Sequence, residues 1–155
     1  MTRIVEVGDK GITDRDAVAE STISMTPQTC ARLIEGTAKG NALEAARVAG
    51  IMAVKRTPDL LPFCHPVAIT GAEVTADPEP GTGRIRVRAT VRASDRTGVE
   101  MEALMAAAVA ALCLYDAAKP FDRAAVISNV RLVQKRGGKS GDYRLGETTG
   151  HEDTE

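Results

Sequence analysis

Four stretches of the sequence combine residue types that can move protons or hold anions. The first is PFCHP, residues 62–66, where His65 stands inside a pair of prolines. Proline restricts its own φ and the residue before it, so the imidazole is carried on a chain of defined, extended shape. A histidine held this way suits acid–base work or a hydrogen bond to an anion. The alternative is a loop histidine bonded to a carbonyl. Cys64 is its neighbour, but consecutive residues of extended backbone face opposite sides, which argues against a Cys–His nucleophile pair. The second stretch holds Asp116 and Lys119, three residues apart and so adjacent on a helix surface. A carboxylate and an ammonium held together can exchange protons or bind phosphate. Equally, they read as an ordinary surface ion pair.

The third stretch is Lys39-Gly40, just ahead of a helix start, where backbone N–H groups and an ammonium can hold a phosphate. The fourth is KRGGKSGD, residues 135–142, with Lys135, Arg136 and Lys139. It is not a nucleotide-binding P-loop, because Val133 stands where the first glycine of that pattern belongs. It reads as a basic loop able to cover a polyphosphate, or simply as a flexible one. Together the four describe an enzyme with lysines, one histidine and carboxylates, no metal cluster and a phosphorylated substrate needing proton transfers.

The elements that carry these groups are legible in part. Residues 4–7 and 21–25 read as short β segments. Thr26-Pro27 is a helix start, a hydroxyl cap followed by proline at the first helical position, and Gly36 can close that helix. Asn41 with Glu44 three residues on begins a second, alanine-rich helix with Leu43, Ala46, Ala49/Gly50 and Ala53/Val54 along one stripe; Pro58 is expected to end it. A strand over 67–77, a Pro/Gly turn at 78–83 and a strand over 84–94 follow. In the latter, Ile85, Val87, Ala89, Val91 and Ala93 share one face and Arg84, Arg86, Arg88 and Arg92 the other. That arginine row is an anion-binding face or a solvated face paired with Glu73 and Asp77. A long helix over 98–118 is expected to be capped by Thr97 and buried along Leu104, Ala108, Ala111, Leu112 and Tyr115. A last strand covers 125–134.

This order approximates β-α-β-β-α-β, an α+β ferredoxin-like sandwich with an antiparallel sheet and helices packed on one face. The 155 residues suit a single catalytic domain over 1–145 and a disordered acidic tail over 146–155. Hydrophobic residues make up 43% and charged residues 26%, a globular balance. A net charge of −1 and 3% aromatics argue against a nucleic-acid coat. No apolar run near ~18 residues and no secretory h-region are evident, so no membrane is expected. Three widely spaced cysteines fit a reducing cytoplasm, with Cys30 and Cys113 buried in helices.

Four segments then carry a resemblance: AARVAGIMAVKRTPDLLPFCHP, TGVEMEAL, AALCLYD-x-x-K and VRLVQKRGGKSGDY. Long and in order, they strongly resemble the cyclic pyranopterin monophosphate synthase family of molybdenum cofactor biosynthesis, over about residues 4–144. The resemblance implies a homohexamer built as a trimer of dimers. It implies a phosphorus–oxygen lyase, without cofactor, that converts 3′,8-cyclo-7,8-dihydro-GTP to cyclic pyranopterin monophosphate and pyrophosphate. It implies catalytic roles for Asp116, Lys119 and Lys39. It implies substrate contacts for Phe63, Cys64, His65, Met101 and Glu102, and further functional positions at Glu100 and Lys135. Two other classes stay open at this point. A non-enzymatic ferredoxin-like binding module would tolerate changes at His65 or Asp116, and a cysteine-nucleophile hydrolase would be abolished by Cys64→Ser.

Overall fold

A computed structural model describes residues 1–147; the tail expected to be disordered lies, from 148 onward, outside the described residues. The elements run β1 (Thr13–Ser24), α1 (Pro27–Glu35), α2 (Ala42–Leu60), β2 (Ile69–Glu79), β3 (Arg84–Asp95), α3 (Glu100–Ala118), β4 (Val126–Arg136) and β5 (Tyr143–Arg144). All strand pairs are antiparallel, in the order β2-β3-β1-β4-β5. The first four strands have the ferredoxin-like arrangement, and α2 and α3 pack on one face of the sheet.

The helix starts follow the local chemistry. Thr26 accepts the Thr29 N–H at 3.2 Å and Gly36, at φ 108°, closes α1. Asn41 Oδ1 accepts the Glu44 N–H at 3.0 Å and opens α2. The core is made of small side chains: Ala17, Ala19 and Ile23 of β1, the apolar row of β3, and Ala103, Ala106, Ala107 and Ala110 of α3. Small residues let the helices lie close. A Cβ on Gly50 of α2 would stand 3.1 Å from the Ala106 carbonyl of α3, and Ser21 Oγ donates to the Ala107 carbonyl at 2.8 Å.

Several expectations are corrected. Residues 4–7 form no strand; the first strand is the continuous β1, and a short β5 follows β4. Pro58 lies inside α2, which runs to Leu60. Proline removes one backbone donor, and near the end of a packed helix that single loss is tolerated. Thr97 does not cap α3; the N-cap is Val99, with no side-chain bond. The buried stripe of α3 is its alanine face together with Leu114, while Leu112 is 57% exposed and Cys113 only half-buried. Large residues misdirect the reading there, because close approach to α2 and the sheet selects the small ones. Helix α3, at 19 residues and mean hydropathy 1.6, is long and apolar enough to cross a membrane by length and composition alone, against the expectation that no such run exists. It lies in the core, covered by the sheet and α2. Finally, Arg84 and Arg86 pair with Glu79, at 3.0 and 2.9 Å, rather than with Glu73 and Asp77.

Candidate active site

Helix α3 carries candidate groups at both ends. Its first turn holds Glu100, Met101 and Glu102. The connection from α2 to β2 comes alongside, because β2 begins where β3 ends, with Ile69 opposite Ala93. Phe63, Cys64 and His65 therefore share a cavity of about 130 Å³ with Glu100, Met101 and Glu102. Cys64 and His65 both line it, against the expectation of opposite directions. Residues 61–64 close a turn, with the Cys64 N–H donating to the Leu61 carbonyl at 3.1 Å, and so are not extended. Phe63 is 54% exposed, an apolar ring left open at this wall.

Glu102 is only 4% exposed. Burial raises its pKa; a bond from its own backbone works against that, and the charge of Glu100 adds to it. Such a carboxyl destabilises the fold once the unfolded chain can ionise it. Below the unfolded value near 4.5 both states are protonated and nothing is lost; as pH rises through that value, stability falls. Glu102→Gln is therefore expected to raise Tm at pH 7 and to leave it unchanged at pH 4. Thermal melts at the two pH values check this, and an equal shift at both would contradict it.

Burial, and then the nearby Glu102 charge, raise the Cys64 pKa. The thiol stays protonated at neutral pH, which disfavours a nucleophile. Cys64→Ala is expected to keep substantial activity in a turnover assay. A loss beyond ~100-fold, about 2.7 kcal/mol of barrier, would restore the nucleophile reading.

A second cavity, of about 440 Å³, shares Thr97, Gly98 and Glu100 with the first. Lys10, Arg15, Arg96, Lys135 and Lys139 line it against the one carboxylate of Glu100. Five cations converging on a concave surface attract a polyanion. Lys135 Nζ is held by Ser140 Oγ and, at 3.4 Å, by the Gly137 carbonyl, a contact made as the basic loop turns back. Lys10, Arg15 and Arg96 were not singled out from sequence. Each is a lone basic residue, and no local signal marks it. They meet Lys135 because the start of β1 pairs with the ends of both β3 and β4, with Arg15 opposite Ala93 and Ala17 opposite Lys135.

At the far end of α3, the Asp116 carboxylate bonds Lys119 Nζ at 2.7 Å and also Lys39 Nζ. Lys119 first, then Lys39, lower the Asp116 pKa to about 2. Lys39 comes from the tight turn between α1 and α2. There, Thr37 and Gly40 exchange backbone bonds and the Lys39 N–H donates to Thr37 Oγ1 at 3.1 Å. Its ammonium thus faces Asp116 rather than the start of α2, where a phosphate had been expected. Along α3, Glu102 and Asp116 are 14 residues apart, ~21 Å at 1.5 Å per residue. One chain brings each group of candidates together, but does not unite the two groups.

A model of the MoaC family matches residues 4–138. The chain belongs to the MoaC family. It is 52% identical over 143 residues to the cyclic pyranopterin monophosphate synthase of Parvibaculum lavamentivorans, covering 92% of this chain and 89% of that one. It is 52% identical over 147 residues to the protein of the same name from Pelotomaculum thermopropionicum, covering 94% and 86%. Against that of Chloroflexus aurantiacus it is 48% identical over 143 residues, covering 92% and 88%. The MoaC match spans Lys39, His65, Glu102, Asp116, Lys119 and Lys135, and it also takes in Lys10, Arg15 and Arg96.

Proposed function

We propose that this chain is a cyclic pyranopterin monophosphate synthase. It converts 3′,8-cyclo-7,8-dihydro-GTP to cyclic pyranopterin monophosphate with release of pyrophosphate, a lyase step of molybdenum cofactor biosynthesis. One observation carries the reading: a cationic cavity shares Thr97, Gly98 and Glu100 with a cavity lined by His65 and the buried Glu102, so a triphosphate seat adjoins a proton-active seat. The names borne by the relatives support it.

The chemistry divides between the two regions. Water must open the five-membered ring of the base, which is then rebuilt as a pterin through several nitrogen protonations. A ribose hydroxyl must then attack the α-phosphorus and expel pyrophosphate. The cations of the larger cavity neutralise the charge that develops on the phosphates. Asp116, at a pKa of about 2, is a poor proton acceptor at neutral pH. Its part is to hold the ammonium groups of Lys39 and Lys119 together at one point. Phe63 and Met101, 54% and 40% exposed, offer apolar surface to the base.

The 130 Å³ cavity is smaller than the ~300–1,000 Å³ of small-molecule sites, and the lysine–aspartate cluster lies at the other end of α3. A second subunit related by a two-fold axis would supply the missing end, twice over. The assembly proposed is a homohexamer of three such dimers, acting in the cytoplasm without a cofactor. Incubation with the cyclised nucleotide is the test. Pyrophosphate and a pterin product are expected together; a wild-type protein that releases neither overturns the reading.

A further inference from the structure

The junction of β3 and α3 holds a carboxylate that none of the foregoing uses. Asp95 is the last residue of β3 and directly precedes Arg96 and Thr97, which line the larger cavity. Its Oδ2 accepts the Ala68 N–H at 2.8 Å, and its Oδ1 accepts the Arg96 N–H at 2.7 Å. The first bond reaches the segment that follows His65; the second reaches the segment that leads into Glu100 and Glu102. Arg15 joins the same corner, donating from Nε to the Asp95 carbonyl at 3.0 Å and from Nη2 to the Arg96 carbonyl at 3.3 Å. Arg96 in turn donates from Nη1 to the Gly8 carbonyl at 3.0 Å, two residues before Lys10.

These bonds add to the packing of Val99 and Ala103, which seats the start of α3 in the core. Helix α3 begins without a side-chain cap, so its first turn is not fixed by the usual means. The stretch from Leu61 to Ala68 belongs to no helix or strand. One carboxylate thus bonds the amide of Ala68, three residues after His65, and that of Arg96, four residues before Glu100. Its carboxyl is held below the ordinary value, chiefly by the Ala68 and Arg96 backbone bonds, so both oxygens accept at neutral pH.

We propose that Asp95 is a positioning residue for substrate binding: by tying Ala68 to Arg96 it holds the two walls of the nucleotide site, and the Arg15 and Arg96 guanidinium groups behind them, at the spacing the ligand needs. The assignment rests on the proposed activity for its kinetic readout, and on nucleotide binding for its second. The Asp95 carboxylate bonds only backbone amides and no group of the Lys39–Asp116–Lys119 cluster, so its loss is expected in binding more than in kcat.

The test compares wild type, Asp95→Ala and Asp95→Asn in the full-length protein. Alanine removes both acceptors. Asparagine keeps one acceptor and turns an N–H toward the other amide, which makes it the milder change and the fallback if the alanine protein fails to fold. The expected result is a graded rise in KM, about tenfold or more for alanine and smaller for asparagine, with kcat changed much less. Titration with GTP, a non-reacting probe carrying the same triphosphate, is expected to show the same order in Kd. Unchanged KM and Kd in both variants, or a loss confined to kcat, overturns the proposal. If the wild type binds GTP but releases no pyrophosphate, the proposed activity fails while the Kd series still decides on Asp95. If it binds none, both fall.

Discussion

Asp116→Asn is expected to fold as the wild type does and to lose turnover. The substitution is nearly isosteric at a site where the carboxylate, Lys39 and Lys119 are all about half exposed, so packing scarcely notices it. The chemistry does. The carboxylate is ionised down to about pH 2 and is what holds two ammonium groups within hydrogen-bond reach of one point. An amide has no charge to set against two cations, and they drift apart. Removing a positioned proton-transfer unit costs about 10²–10⁴-fold in rate, and the loss is expected in kcat. Pyrophosphate release, measured beside a thermal melt, checks both halves. Normal activity in a folded variant would show that the cluster is an ordinary surface ion pair.

Equal amounts of Glu102→Ala and Asp116→Ala protein, each inactive alone, are expected to regain activity when dissociated and reassembled together. The two residues lie on opposite ends of α3, ~21 Å apart along its axis and within about 40° of one face at ~100° per residue. If the site takes the start of one α3 and the end of another, a mixed dimer contains one site with both defects and one with neither. Random pairing makes half the dimers mixed, so recovery of about a quarter of wild-type activity is expected. Mixed oligomers confirmed by differential tagging, yet without activity, would place each site within a single chain.

Much of the architecture follows from local chemistry. Thr26-Pro27, Gly36 and Asn41 mark helix ends through bonds made within three or four residues, and those bonds form as the sequence implies. The alternation of β3 places its apolar row inside because a pleated strand has period two and one face is covered. The order of elements then leaves few topologies. Lys39, Asp116 and Lys119 were legible as chemistry, and so was the pairing of 116 with 119, since helical spacing alone makes them neighbours. His65 and the Glu100–Glu102 turn were legible only as separate motifs.

Other features depend on distant parts of the chain and were misread for that reason. The buried face of α3 is chosen by how close α2 and the sheet can come, which favours alanine over the larger residues that usually signal a core. Thr97 looks like a cap, but the corner at Asp95 and Arg96 is built from bonds to Ala68, Arg15 and Gly8, and the helix starts at their convenience.

What the sequence determined by itself, then, lies within a turn of helix or a pleat of strand: the caps of α1 and α2, the two faces of β3 and the Asp116–Lys119 pair. Only the tertiary structure decided that Lys39 closes on Asp116 and that Lys10, Arg15, Arg96 and Lys135 converge. It likewise decided that one carboxylate, Asp95, accepts from the amides of both Ala68 and Arg96. The hydrogen bonds at this corner span up to 88 residues, and no local rule of spacing reaches so far. Lys10, Arg15, Arg96 and Lys135 converge because the antiparallel register of β1 with β3 and β4 brings strand ends from opposite parts of the chain to one end of the sheet.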